Sequence, residues 1–288
     1  MDSLLHLSIL ICIYSILAQS LSLVSGHSGQ ISLAHAGFYG IGAYTTALLS
    51  VSFGMPPLVN LVLAMLLSGI LAFVVAKVAV NTVDDYFVII TLGVQVVIFS
   101  IMNNWESVTN GPKGIRKIPP FSIFGHPLED KVAILVLSAI LAALVWLVLH
   151  RIVKSPFGRM LRAISEDEVY AGSLGKNVRD AKVVAFVISG MLASIAGVLF
   201  AHLSGSVYPK SFTLNESIFI LSIVIIGGMR NLGGIFLTTV FLVSFPEVLR
   251  IVGFPPTIAA NIQQIVYGTV LIVVILGRGM LSRLHWIR

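Results

Sequence analysis

The segment "SGHSGQISLAHAGFYGIGAY", residues 25–44, lies between two apolar stretches and decides how this chain folds. It holds five glycines, and each glycine in a helix costs about 1 kcal/mol relative to alanine. In hydrocarbon, unpaired backbone N–H and C=O groups are costly, so non-helical backbone occurs only where protein or a water-filled cavity covers it. The segment therefore predicts a discontinuous helix inside a bundle. A tight interhelical turn with small residues for packing is the alternative interpretation.

Composition places most of the chain in lipid. Of its 288 residues, 57% are hydrophobic and 10% are charged, whereas a soluble domain carries about 25% charged residues. We predict an all-α fold, a polytopic transmembrane helical bundle of about nine membrane-embedded helices in one domain over residues 1–288. The net charge of +6 resides in segments between apolar runs. This pattern is typical of orientation by membrane lipid and not of nucleic-acid binding.

Apolar runs set the predicted spans, since a helix needs about 20 residues to cross a bilayer. The long runs fall near 4–24, 57–79, 132–152, 182–203 and 256–277, and the shorter ones near 36–53, 86–102, 217–229 and 235–252. The first run is interpreted as a retained span and not as a signal peptide, because no Lys or Arg precedes it.

Basic residues predict the orientation. Seven Lys or Arg residues lie in the segment 151–182, and the positive-inside bias places such a segment in the cytoplasm. Four predicted crossings then bring the C-terminal tail, with Arg278, Arg283 and Arg288, to the same side. The loop at about 103–131, rich in Gly, Pro and Asn, is predicted to be external, and the loop at about 153–181 cytoplasmic.

One predicted helix carries a stripe of small residues at intervals of four: Ser189, Ala193, Gly197, Ala201 and Gly205. Helices in lipid associate through close backbone approach, which such a stripe permits. We expect this helix to pack against another one, either within the chain or across a subunit interface.

Two groups of polar residues are predicted to line a translocation pathway. They are Gly29, Gln30, Ser32 and His35 in the opening segment, and Thr91 and Gln95 in a later span. The last two are four residues apart and share a helix face, which we expect to look into the bundle. The ends of a broken helix also offer partial positive charge, which suits a carboxylate. For His35, a role in packing alone is the alternative.

Signatures of catalysis are missing from the sequence. It contains no HExxH pair, no GxSxG and no GxxxxGK[ST] phosphate loop. Cys12 is the only cysteine, which excludes an intrachain disulfide. We therefore expect no enzyme activity, no metal site and no cofactor in this chain. Acidic residues in spans would indicate ion coupling; Glu247 is one, and an ion pair with Arg250 is its simpler interpretation.

At this point the sequence resembles a known family. "SGHSGQISLAHAGFYGIGAY" is similar to the "GxxGQxSLGHAxFxGIGAY" signature of branched-chain amino-acid ABC importer permeases, the LivM-like membrane subunits. Further blocks follow in order: "YFVIITLG" with "VTNGPKGIRKIP", the basic segment with the helix after it, and "SIFILSIVIIGGMRNLGGIF". Together they cover about residues 14–275. The chain departs from the pattern at Ala34 and Asn110, where the family has glycine, and it lacks an apolar span that usually precedes this region.

The resemblance implies a permease subunit of an ATP-binding-cassette importer in a bacterial or archaeal cytoplasmic (inner) membrane. Such a subunit pairs with a second, LivH-like permease, two cytoplasmic ATPases that hold ATP and Mg, and an external solute-binding protein. The substrate it implies is a branched-chain or other amino acid. Urea or a short amide is the alternative within the family. A stand-alone secondary transporter, coupled through Glu247, is the alternative outside it.

The resemblance also gives the basic segment a role. Glu168, Ala171 and Gly175 keep part of the E-x-x-A-x-x-x-G spacing of coupling helices in ABC importers, and Arg159 and Arg162 flank them. A short helix ended by glycine is expected to dock in an ATPase groove. The alternative is that the basic residues only enforce topology.

Overall fold

Helices make up most of the chain in a computed structural model that describes residues 2–80, 82, 84–123, 126–128, 130–251, 265 and 268–269. The first half contains α1 (Asp2–Ser22), a π-helical turn (Leu23–His27), α2 (His35–Phe53), α3 (Pro57–Ala79), α4 (Asp84–Asn104) and the single turn α5 (Glu106–Thr109). The second half contains α6 (Lys131–Lys154), α7 (Pro156–Glu166), α8 (Glu168–Ser173), α9 (Val178–Ser204), α10 (Leu214–Gly227) and α11 (Leu232–Ile251).

Proline and glycine set several of these boundaries. Pro57 and Pro156 occupy the first positions of α3 and α7, where the missing N–H has no helical partner to lose. Gly54 follows α2 with φ of 61°, a left-handed conformation that commonly ends helices. Ser155 caps α7 by accepting a hydrogen bond from the Gly158 N–H.

Six helical stretches of the described residues are long and apolar enough to cross a membrane: Ser3–His27, Pro57–Ala79, Tyr86–Asn104, Lys131–Lys154, Val178–Ser204 and Pro209–Gly227. The prediction of an all-α, multi-pass bundle is thus confirmed. The predicted runs 36–53 and 235–252 correspond to α2 and α11, which are not among the six. Of the predicted span 256–277 the structure describes only residues 265 and 268–269, and the arginines of the tail lie outside the described residues.

Helix α9 lies at the centre of the bundle, in contact with α1, α2 and α3. Ser189, Ala193, Gly197 and Ala201 of the small-residue stripe are buried there within the chain itself, and Gly205 is half-buried directly after the helix. A Cβ atom on Gly197 would overlap the carbonyl oxygen of Tyr39 and the backbone N–H of Ala43, and one on Gly42 would overlap the backbone of Ser194. The α2–α9 crossing therefore depends on direct backbone contact, as small-residue motifs in membranes allow.

The chain is interrupted after α1 and again after α9. Residues 28–34 are non-helical before α2, which fits both the predicted discontinuous helix and the alternative of an interhelical turn. Residues 205–213 form a short strand, a 3₁₀ turn (Pro209–Phe212) and extended chain before α10. The first turns of α2 and α10 lie side by side, and the backbone N–H of Ala36 donates to Ser217 Oγ at 3.0 Å.

Two short strand pairs lie in the connections. β1 (Ile115–Arg116) pairs antiparallel with β4 (Ser206–Val207), and β2 (Ser122–Ile123) pairs with β3 (His126–Pro127). Asn110, which stands where the family pattern has glycine, adopts φ of 61°, and its side chain donates to the Gly114 carbonyl at 2.9 Å. Because asparagine tolerates the left-handed region better than most residues, this departure keeps a glycine-like turn.

Candidate functional site

Backbone hydrogen bonds stabilise the break after α1. The N–H of Ser28 donates to the Leu23 carbonyl at 3.2 Å, and that of Gln30 donates to the Val24 carbonyl at 3.1 Å. Gly29 has φ of 78°, a conformation that glycine adopts without strain. The chain thus turns sharply at Gly29 and runs into the bundle in non-helical form.

The beginning of α2 receives its hydrogen-bond partners from other helices. The Leu33 N–H donates to Thr91 Oγ1 of α4 at 3.1 Å, and the Ala36 N–H donates to Ser217 Oγ of α10. The Ala34 N–H donates to Ser32 Oγ at 3.3 Å. These donors lie at or just before the first turn of α2, where a helix leaves N–H groups without internal partners, and hydroxyl groups of the chain satisfy them in this conformation.

Gln95 links the two interrupted segments. Its Nε2 donates to the Phe212 carbonyl in the 3₁₀ turn at 2.8 Å, and Ser217 Oγ lies 3.5 Å from its Oε1. Gly37 packs against the same side chain, since a Cβ there would lie 3.0 Å from Gln95 Oε1. One amide side chain on α4 thus holds the start of α2 and the approach to α10 in place.

His35 packs between α2 and α9. It is fully buried, and its Nε2 lies 3.1 Å from Ser189 Oγ, which also donates to the Ser20 carbonyl of α1. Its ring lies edge-on to Phe38. The small-residue stripe therefore also carries a hydroxyl that ties three helices together around His35.

The residues predicted to line a pathway are closed off in this conformation. Gln30, Ser32, His35, Thr91 and Gln95 are at most 2% exposed. Gly29 is exposed and lines a cavity of about 590 Å³ with Ser165 and Arg230. Thr91 and Gln95 thus bond to the start of α2 and the approach to α10, and His35 bonds to Ser189 of α9. Gln30 bonds within the turn after α1, and Gly29 faces a separate cavity. That these residues line a translocation pathway stays a prediction.

The helices predicted to couple to an ATPase form a compact unit at one end of the bundle, here called the basic end. Asp167 caps α8 by accepting from the Tyr170 N–H at 2.8 Å. After α8, Gly175 adopts φ of 75°, and the Lys176 N–H reaches back to the Ala171 carbonyl at 3.4 Å. The expected short helix ended by glycine is therefore present, with Ala171 buried beneath it.

Glu168 fixes this unit to the bundle. Its carboxylate forms an ion pair with Lys182 in the first turns of α9. The Lys182 side chain is only 4% exposed, whereas the Glu168 side chain is 50% exposed. Because a buried ammonium group needs a partner, this pair holds α8 against α9.

Arg230 makes a second connection, between α10 and α11. Its Nε donates to the Gly26 carbonyl at 2.9 Å, Nη2 to Ser165 Oγ at 2.7 Å and Nη1 to Glu166 Oε1 at 3.2 Å. The planar guanidinium thus joins the π-helical turn to the last turn of α7, as its fork of donors permits. Movement of α7 is thereby linked directly to the break after α1.

Several of these residues were not singled out for these roles from the sequence. From the sequence, Lys182 counts only as one of the seven basic residues that predict orientation, and nothing singles out Arg230, although each joins elements far apart in the chain. Glu216 lies outside the predicted run 217–229, but it belongs to α10 and accepts a hydrogen bond from Tyr14 at 2.6 Å. The predicted Glu247–Arg250 pair involves a side chain outside the described residues.

Replacing Gln95 by leucine is expected to destabilise the chain by about 1–3 kcal/mol, because it leaves the buried Phe212 carbonyl without its donor. Thermal unfolding of the purified chain measures the effect. Val96→Leu on the exposed face of the same helix is the matched control and should unfold like the unmodified chain. Equal unfolding temperatures for both variants would show that Gln95 contributes little.

Replacing Arg230 by alanine is expected to raise amide hydrogen exchange in two places together, residues 23–30 and 156–166. Hydrogen bonds of charged groups contribute about 1.5–3 kcal/mol each, so exchange should rise about tenfold or more in both segments. Arg159→Ala is the control, because it removes an exposed arginine of α7 whose side chain, among the described residues, bonds only to the Lys154 carbonyl. Faster exchange confined to residues 228–232 would contradict the linkage.

Comparison with known proteins identifies the family to which the chain is related. A family model described as branched-chain amino acid transport system, permease component, matches residues 3–275. The chain is 37% identical to the high-affinity branched-chain amino acid transport system permease protein LivM of Escherichia coli (strain K12), over 83% of this chain and 61% of that relative. It thus spans about three fifths of that relative's length. No solved structure matches the chain significantly.

More distant relatives have other names. The permease protein LivH of the same organism is 24% identical, over 77% of this chain and 76% of its own length. The guanosine ABC transporter permease protein NupQ of Bacillus subtilis (strain 168) is 23% identical, over 80% and 76%. The fold defines a multi-pass helical membrane protein. Because the family model matches nearly the whole length of this chain, the chain belongs to the family of branched-chain amino acid transport permease components.

Proposed function

We propose that this chain is a membrane-spanning permease subunit of an ATP-binding-cassette importer that carries branched-chain or other amino acids. The observation that carries the proposal is the attachment of the α7–α8 unit to the bundle. An ion pair joins it to α9, and Arg230 joins it to the break after α1. Motion imposed on α7–α8 from outside therefore has two direct routes into the bundle.

The exposed surface of α8 supports a partner at this position. Val169 and Tyr170 of this six-residue helix and Leu174, its C-cap, are 83%, 62% and 61% exposed. Exposed apolar groups rimmed by charge mark interaction sites. In the proposal they enter a groove of a cytoplasmic ATPase, with Arg159 and Arg162 beside them, so the basic end faces the cytoplasm.

The remaining partners follow from the family. The proposed complex contains a LivH-like permease, two ATPases that hold ATP and Mg, and an external solute-binding protein, in a bacterial or archaeal inner membrane. In that complex the present chain hydrolyses nothing and contributes about nine membrane-embedded helices. Transport opens the buried group around His35 and Gln95, so that it lines the route for one part of the cycle.

The solute is the least constrained part of the proposal. LivM and LivH relatives are named for branched-chain amino acids, whereas the NupQ relative is named for guanosine. Since one family serves such different solutes, urea or a short amide remains the alternative cargo. A stand-alone secondary transporter through Glu247 has no comparable support from the arrangement of the basic end.

Reconstitution tests the proposal. The chain is co-purified with its genomic neighbours, placed in liposomes with ATP on the α8 side, and assayed for uptake of radiolabelled leucine, urea and guanosine. Leucine uptake that needs ATP and stops when the ATPases carry an inactivating substitution is expected. Uptake by the chain alone under an ion gradient would overturn the importer assignment. ATP-dependent uptake of urea or guanosine in place of leucine would change only the cargo.

A further inference from the structure

A strongly basic cavity lies at the basic end, between α6, α7 and the turn before α11. Its volume is about 560 Å³, and its charged or titratable lining consists of His150, Lys154, Arg159, Arg162 and Arg230. Four of these five side chains are lysine or arginine. Cations gathered around one cavity repel one another unless an anion lies among them.

The charge of this cavity is poorly balanced within the chain. Among the described residues, Arg230 has an acidic partner, Glu166, at 3.2 Å. Arg159 donates to the Lys154 carbonyl at 3.2 Å, a contact that leaves its charge uncompensated. In the described part of the chain, no carboxylate lies within ion-pair distance of Lys154, Arg159 or Arg162. The cavity therefore carries a net positive charge, which favours the binding of an anion.

An apolar crevice continues from the basic cavity into the membrane-spanning part of the bundle. Its volume is about 400 Å³, between α1, α6 and α11, and the two cavities share Trp146 and Gly233 in their linings. Ala139, Ala142 and Ala143 form its α6 wall, and small side chains there leave the space open. Ser15 and Gln19, hydrogen-bonded to each other at 3.0 Å, belong to its α1 wall.

The order of the two cavities matches the order of groups in a phospholipid. The basic cavity lies where the apolar span Lys131–Lys154 ends, at the level of headgroups. The crevice lies deeper along the same helix and opens sideways, since Trp146 is 39% and Phe236 44% exposed. Basic pockets between transmembrane helices bind anionic headgroups, and tryptophan is typical of the membrane interface.

We propose that these two cavities form one binding site for an anionic phospholipid, with the phosphate-bearing headgroup among Lys154, Arg159 and Arg162 and an acyl chain in the crevice between α1, α6 and α11. The site does not depend on which solute the chain carries. It places a negative charge against Arg162 and Arg230, beside the connection between α7 and the break after α1. A soluble phosphate would use the basic half alone.

Trp146 provides a direct test, because it lies in the linings of both cavities. The full chain with Trp105→Phe and Trp286→Phe keeps Trp146 as its only tryptophan. It is placed in bilayers in which brominated phosphatidylglycerol or brominated phosphatidylcholine replaces the host lipid stepwise, and the quenching of Trp146 fluorescence is compared. We expect phosphatidylglycerol to reach half-quenching at a mole fraction at least about fivefold lower, as one surface charge already provides about 1 kcal/mol.

Two variants that remove equal numbers of charges show which residues produce the preference for phosphatidylglycerol. Lys154→Gln with Arg162→Gln removes two charges from the cavity and should bring the two half-quenching fractions together. Lys176→Gln with Arg179→Gln removes two exposed charges of the same basic segment that do not line the cavity, and should preserve the difference. Glycerol phosphate in solution should compete weakly. Full competition by glycerol phosphate would assign the site to a free phosphate and contradict the lipid proposal.

The acyl-chain half is tested separately. Ala143→Phe fills the crevice without altering charge and should weaken quenching by brominated acyl chains of either lipid at Trp146. Mass spectrometry of the complex purified from its native membrane should find bound anionic phospholipid, depleted in the Lys154/Arg162 variant. Equal quenching by both lipids in the unmodified chain, with no anionic lipid in the purified complex, would overturn the proposal.

Discussion

Replacement of Gly197 by leucine is expected to abolish accumulation of the folded chain. Gly197 lies at the α2–α9 crossing, where a Cβ would overlap the Tyr39 carbonyl oxygen and the Ala43 N–H. These are backbone atoms, so no rotamer change makes room, and the two helices must separate. Because α9 also contacts α1 and α3, separation disturbs the centre of the bundle. Overpacking in ordinary cores costs about 1–3 kcal/mol, and we expect this substitution to exceed that range.

Size-exclusion chromatography of a fluorescent fusion, together with expression level, measures the effect. Gly93→Leu is the matched control, because it makes the same change in helix α4 at an exposed position with no atom within 4 Å of the added Cβ. It should give a normal peak and a small gain in helix propensity. A symmetrical peak at normal yield for Gly197→Leu would show that the bundle tolerates a wider α2–α9 crossing.

This contact shows what sequence can predict about the fold. The four-residue spacing of small residues indicates close packing of α9, and the length of the apolar runs indicates most of the spans, because both depend on local periodicity. Neither identifies α2 as the partner of Gly197. That partnership depends on how the chain returns from the break at 28–34, which is a property of the whole bundle.

The buried polar side chains around Gln95 show more clearly that sequence does not identify contact partners. The inward direction of Gln95 follows from its apolar surroundings, but its acceptor, the Phe212 carbonyl, lies 117 positions along the chain. The predicted run 217–229 begins three residues after the observed start of α10 at Leu214, because Asn215 and Glu216 are polar. In the structure Glu216 accepts a hydrogen bond from Tyr14 of α1, so a polar residue lies within the helix inside the bundle.

Replacement of Glu168 by alanine is expected to release α8 from the bundle. The partner of Glu168 is Lys182, whose ammonium group is almost fully buried. Removing one member of a buried ion pair costs about 3–5 kcal/mol, because the other charge is left unpaired. Glu168 is half exposed, so water compensates part of the loss, and we expect a cost near the lower end of that range. Lys182 must then move towards solvent and take the first turn of α9 with it.

A double-mutant cycle with Lys182→Met separates this effect from a general loss of contacts. Thermal unfolding and amide exchange of residues 167–183 are measured for both single variants and the double variant. The double variant should be more stable than Glu168→Ala alone, because it no longer buries an unpaired charge. Glu166→Ala, whose pair with Arg230 is exposed, should cost no more than about 1 kcal/mol.

The same variants test whether the Glu168–Lys182 pair also couples ATP hydrolysis to transport, as proposed. If α8 transmits ATPase motion through the Glu168–Lys182 pair, Glu168→Ala should lower the number of solutes moved per ATP while hydrolysis continues. The Lys182→Met double variant should regain stability without regaining that ratio, because α8 stays detached from α9. A normal ratio in the double variant would show that the pair only stabilises the fold, and that Arg230 alone carries motion from α7 to the break after α1.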